Sequence, residues 1–192
     1  MNQNVRAFVA VEISSEVRQA AVELISRLRV ASVDVNWVAP ENLHLTLKFL
    51  GDVPLTETAR ICGELQRAAI EVKPFELTLA GAGAFPNASR PSTIWLGTAG
   101  DDRPMRDLHA SVERRLQKLG FRRDGRRFQA HLTLGRVHRG GTTGHALAEL
   151  LKQSAGYEAG KVRVDQIVLF SSQLTTAGPI YQLIGRARLG GR

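Results

Sequence analysis

The tetrapeptide His-Leu-Thr-Leu occurs twice, at 44–47 and at 131–134, with the two histidines 87 residues apart. Each copy lies in an apolar run of strand character, LHLTLKFL at 43–50 and FQAHLTLGRV at 128–137. A chain that places the same strand motif at matched points of its two halves is constrained towards two similar lobes. Shifting the first half by the same 87 residues lays Phe8 over Trp95 and Phe75 over Val162. Each half then reads strand, helix, motif strand, helix, strand. A pseudo-two-fold axis would set the two motif strands side by side or across a groove.

The remaining elements follow from periodicity and punctuation. RAFVAVEI at 6–13 is a strand, and Ser14 is a helix cap before Val17, Ala21, Leu24 and Leu28 at helical spacing. Pro40 and Asn42 mark a break before the first motif strand. Thr56 is placed to cap a helix carrying Ile61, Leu65, Ala68 and Val72. FELTLAGA at 75–82 is a strand, 83–91 a loop and 92–97 a strand. Leu108, Val112, Leu116 and Leu119 mark a helix ending near Gly120. A Gly/Thr loop at 140–144 leads to a helix at 146–153, and strands at 161–170 and 179–189 close the chain.

Side chains alternate across a strand, so His44 and Thr46 share one face, and so do His131 and Thr133. The leucines between them point to a core. Two such strands brought together offer two imidazoles and two hydroxyls to one small volume. That set suits phosphoryl chemistry without metal. An imidazole titrates near pH 6.5, so one ring can act as a base while the other acts as an acid. Hydroxyls can donate to the non-bridging phosphate oxygens. Arg136 follows Thr133 by three, which puts it on the opposite face by plain alternation. A bulge at Gly135 would turn it back to complete an anion clamp.

Other features narrow the class. The net charge of +8, from 26 Lys and Arg against 18 Asp and Glu, favours a polyanionic partner without identifying one. FRRDGRRF at 121–128 carries four arginines around an Asp-Gly turn, and it reads equally as a grip on a nucleic-acid backbone or as a solvated hairpin. Phe8, Phe85, Trp95 and Tyr181 are candidates to stack a base, although each fits a core position as well. The single cysteine, Cys62, cannot form an internal disulfide, and a reducing cytoplasm is the simplest home. No apolar run approaches a membrane span, and the N-terminal residues lack a secretory pattern. The other three histidines, His109, His138 and His145, read as surface residues and form no metal motif.

Taken together, these stretches resemble the 2H phosphoesterases, named for paired His-x-Thr motifs. Within that superfamily the chain is similar to the bacterial and archaeal RNA 2′,3′-cyclic phosphodiesterases, first named 2′-5′ RNA ligases. RAFVAVEI, WVAPENLHLTLKFLG, GAFPNASRPSTIWLG, FQAHLTLGRV and SSQLTTAGPIYQLI stand in the family's order and cover nearly the whole chain. The resemblance implies one bilobal α+β domain over 1–192, with antiparallel sheets lining a central cleft, helices outside, and no metal or other cofactor. It implies hydrolysis of an RNA 2′,3′-cyclic phosphate end to a 2′-phosphate. His44 would be the proton donor and His131 the proton acceptor. Thr46, Thr133 and Arg136 would hold the phosphate. Apart from the resemblance, Phe8 and Tyr181 are the stacking candidates expected to bind substrate. The expected partner is an RNA end such as that of a tRNA fragment, met by a monomeric, cytoplasmic protein. Alternatives are 2′-5′ linked oligonucleotides, small cyclic nucleotide phosphates or reversible RNA ligation at the same site. A non-catalytic RNA-binding module is the alternative from a different class.

Overall fold

The structure, a computed structural model, describes residues 4–31, 34–125, 127–138, 145–176 and 178–191. The glycine- and threonine-rich loop expected at 140–144 lies outside them. Strand β1 (Asn4–Glu12) carries five consecutive buried residues, Ala7 to Val11, and is accordingly an interior strand. The other strands are β2 (Val35–Trp37), β3 (His44–Pro54), β4 (Phe75–Phe85), β5 (Thr93–Ala99), β6 (Leu132–Val137), β7 (Glu158–Val164), β8 (Gln166–Thr175) and β9 (Gly178–Arg188). They form one sheet in the order β7-β4-β5-β6-β3-β1-β8-β9, with β2 added on β6. The registered pairs are antiparallel throughout. Motif strands β3 and β6 meet at the centre through the single pair Leu45–Leu132.

The α+β fold and antiparallel sheet are as expected, but neither side of the sheet is built from one half of the sequence. β4, from the first half, pairs with β5 and β7; β8 and β9, from the second, extend the sheet from β1. The helices cross as well. Helix α1 (Ser15–Arg29) packs against β7 and α4 (His145–Gln153), whereas α2 (Thr58–Ala69) packs against α3 (Arg103–Gln117), β8 and β9. Ser14 caps α1 as expected, its hydroxyl accepting from the Val17 N–H at 3.3 Å. Thr56 does not cap α2. A short 3-10 turn, Leu55–Glu57, precedes that helix, and the Thr58 hydroxyl donates to the Leu55 carbonyl. The strand expected at 161–170 breaks at Asp165, because β7 and β8 belong to opposite ends of the sheet. β4 extends through 83–85, which periodicity leaves in a loop, and β2 is too short to show a period. No described helix is long and apolar enough to cross a membrane.

Register corrects the simple overlay of the halves. Ala10 faces Thr46 and Trp95 faces Thr133, so the central strands are offset by 85 residues while the motifs are offset by 87. Phe8 therefore matches Thr93, not Trp95. Each motif strand also carries the same bulge. Thr46 and Lys48 face the consecutive residues Ala10 and Val9, and Thr133 and Gly135 face Trp95 and Ile94. Leu47 and Leu134 are the extra residues, and both are buried. Each bulge resets the alternation. Lys48 turns to the helix side, while Phe49 and Arg136 turn to the imidazole face. Gly135 permits this in β6: a Cβ there would lie 2.7 Å from Val35 and 2.9 Å from Trp37, so β2 can pack only over a bare backbone.

Candidate active site

His44 opens β3, and His131 stands immediately before β6. Leu45, Leu47, Leu132 and Leu134 anchor both strands in the core, each at most 2% exposed. The two rings are held in the same way. The Nδ1 of His44 lies 2.7 Å from the Asn42 carbonyl oxygen, and that of His131 lies 2.8 Å from the Gln129 carbonyl oxygen. A carbonyl only accepts, so each Nδ1 carries the proton and each Nε2 is the working nitrogen. The His44 Nε2 lies 3.0 Å from the Thr46 hydroxyl. Thr133 is half-buried on the same face.

Burial pushes both imidazoles below the ordinary histidine range. The backbone carbonyls oppose this by favouring the protonated rings, and the Arg136 charge adds to the depression at both. His131 itself contributes at His44, so the two rings are electrostatically coupled. Among the described residues Arg136 bonds the Thr93 hydroxyl, at 3.4 Å, and has no ion pair. An uncompensated guanidinium beside two imidazoles is an anion site.

The aromatic candidates divide. Tyr181 meets His44 edge-on at 5.4 Å and is partly open to the cleft, with burial raising its hydroxyl pKa. Phe8 is 3% exposed and lies 4.8 Å beneath the His44 ring. It cannot offer a free face to a base, so its place is to support the imidazole, and the stacking role expected of it is corrected. Phe85 meets His131 edge-on at 5.1 Å, and Trp95 packs against Phe85 at 5.3 Å. Phe49, which plain alternation assigns to the core, is 59% exposed on the imidazole face.

His109 also departs from its surface reading. It lines the groove beside His131, stacked on Phe128 at 4.0 Å, and burial lowers its pKa. His138 stays half exposed beside Asp34, and His145 is exposed. His109, Glu113 and Asp124 converge closely enough to hold a cation, and the Lys48 ammonium supplies one. Its Nζ bonds Glu113, lies 3.5 Å from Asp124 and donates to the Arg122 carbonyl at 2.8 Å. The arginine-rich segment is thus tied to the back of the first motif strand. No residue type in the first motif strand marks its bulge, so plain alternation misplaces both Lys48 and Phe49.

An imidazole–hydroxyl pair built twice on one curled antiparallel sheet, with an unpaired arginine beside it, defines a two-fold acid–base site for an anionic group. The chain belongs to the 2′-5′ RNA ligase superfamily, whose sequence profile matches residues 16–176. It is 39% identical over 177 residues to an RNA 2′,3′-cyclic phosphodiesterase of Methanothermobacter thermautotrophicus, covering 92% of this chain and 95% of that one. It is 32% identical over 188 residues to the protein of the same name from Aquifex aeolicus, covering 97% and 98%. Among solved structures, a Thermus thermophilus protein superposes with a TM-score of 0.80 at 27% identity, over 97% of this chain and 99% of that one. E. coli LigT complexed with 3′-AMP gives 0.77 at 25% identity, over 97% and 99%.

Proposed function

We propose that this chain hydrolyses the 2′,3′-cyclic phosphate at an RNA end to a 2′-phosphate, without a metal ion. The observation that carries the reading is the pair of imidazoles pinned through Nδ1, each presenting Nε2 on the same face of the sheet. The name borne by the archaeal relative supports the substrate, and the complex of LigT with 3′-AMP supports a nucleotide as the kind of ligand.

A cyclic phosphodiester carries one negative charge. Seated beside the rings, it favours their protonated forms and counters the depression caused by burial. One proton then serves two imidazoles. His131, neutral, takes a proton from water as the water oxygen bonds to phosphorus. His44, protonated, gives its Nε2 proton to O3′ as the P–O3′ bond breaks. The product keeps its ester at O2′, and exchange with solvent returns the proton to His44. The Thr46 and Thr133 hydroxyls and Arg136 hold the non-bridging oxygens, where charge accumulates. The assignment of donor and acceptor follows motif order in the family.

The test is turnover of a short RNA ending in a 2′,3′-cyclic phosphate, with chelator present, resolving 2′- from 3′-phosphate. Exclusive 2′-phosphate at an undiminished rate is expected. A 3′-phosphate product would make O2′ the leaving group, and loss of turnover in chelator would return the reaction to metal chemistry.

A further inference from the structure

The geometry points to a second nucleotide site, in the groove between Phe49 and residues 124–125 and 127–129, that takes the nucleotide on the 5′ side of the cyclised one. This rests on the RNA reading above. The groove holds about 860 Å³, against about 340 Å³ for the recess on the Tyr181 side of His44, and it opens directly from Thr46, His131 and Arg136.

Phe49 is the central observation. Its bulge turns it out of the core, and it occupies in the first half the place that Arg136 holds in the second: Phe8 faces Phe49, and the matching Thr93 faces Arg136. One half presents a cation there, the other a ring 59% exposed to water. A ring that exposed gains from covering its face, and a nucleobase is the flat partner an RNA substrate brings. Across the groove stands Phe128, stacked on His109. Arg127 lines the same groove and has no ion pair among the described residues. Two cations, Arg136 and Arg127, and two phenylalanines, Phe49 and Phe128, line this one groove, the mix of groups that phosphates and bases along a strand require. The far wall is also positioned. Lys48 clamps the segment through the Arg122 carbonyl and Asp124.

The enzyme is therefore expected to prefer an oligonucleotide end over a mononucleotide 2′,3′-cyclic phosphate. The experiment compares kcat/KM for a trinucleotide and a mononucleotide, each ending in the cyclic phosphate, in the wild type, Phe49→Ala and Phe49→Trp. The trinucleotide-to-mononucleotide ratio should exceed one, fall about 5- to 100-fold in Phe49→Ala, and be restored in Phe49→Trp. In parallel, a trinucleotide 3′-phosphate with 2-aminopurine at the penultimate position reports stacking without turnover. Its fluorescence should quench on binding to the wild type and not to Phe49→Ala, and Arg127→Gln should flatten the log-log salt dependence of its binding by about 0.7. A ratio near one in the wild type, or quenching unchanged in Phe49→Ala, would overturn the proposal. Quenching that depends on Phe49, with no turnover of either substrate, would retain the nucleotide site and remove the hydrolase reading.

Discussion

At His44 and His131 the same local device recurs: a carbonyl oxygen two residues upstream holds Nδ1 and turns Nε2 outward. Replacing either ring by alanine should cost about 10²–10⁴-fold in kcat, measured on an RNA cyclic phosphate with folding checked by circular dichroism. Removing one hydroxyl, as in Thr133→Val, should cost less, since Thr46 and Arg136 still hold phosphate oxygens. Equal losses would make the hydroxyl a participant in proton transfer. Burial depresses both imidazoles in the free protein, so the bell-shaped profile of kcat/KM should centre below about pH 6.5. The bound phosphate favours the protonated rings, so the kcat profile should lie at higher pH. Coincident profiles would show that the anion does not sit beside both rings. The two histidines and their threonines were legible because period-two alternation needs only neighbours in sequence. Phe49 was not, because the bulge that exposes it is defined by its pairing with Phe8 across the sheet.

At the scale of single elements, the bulges at Leu47 and Leu134 decide which side chains serve the site. Gly135→Ala should destabilise the fold by about 1–3 kcal/mol, since its Cβ meets Val35 and Trp37 in a packed layer. The same substitution should weaken phosphate binding as β6 shifts Arg136, and urea denaturation together with phosphate titration reads both effects. The other bulge turns Lys48 inward to Glu113, which is 6% exposed. Lys48→Met leaves that carboxylate buried beside the His109 ring, 3.8 Å away and with its charged form disfavoured by burial, and should cost about 3–5 kcal/mol, whereas Lys48→Met with Glu113→Leu should recover most of it. A single substitution costing as little as the double would mean that Glu113 reaches water. The expectation of a bulge at Gly135 held because glycine in a strand suggests one, but the matching bulge before Lys48 has no such marker in its residue types.

Over the whole molecule, His44, His109 and His131 share one direction of shift, and this sets the acid response of stability. A depressed imidazole binds its proton more readily in the unfolded chain, so stability is full above about pH 6.5 and declines as pH falls below it. Glu71 acts at lower pH. The Ser111 hydroxyl first, then Arg115 and Arg114, hold its carboxyl down to about 2, so the contribution of this link between the turn after α2 and α3 is present above about pH 4.5 and lost as pH falls through about 2. Urea midpoints between pH 8 and pH 3 should fall in two stages, the first diminished in His109→Gln. A midpoint constant from pH 7 to pH 5 would contradict the burial of the imidazoles. The sequence by itself determined most of the elements, the greasy and polar faces of the motif strands up to their bulges, and the chemistry of two imidazoles with two hydroxyls, since these depend on residues a few positions apart. It also carried the duplication, which implied that the two sites meet. Only the tertiary structure decided that the halves exchange strands and helices, that Phe8 lies beneath a catalytic candidate while Phe49 faces the cleft, and that Lys48 fastens the arginine-rich segment. Those outcomes depend on which strand lies beside which and in what register. That is a choice made by packing one shared core, and no local pattern encodes it.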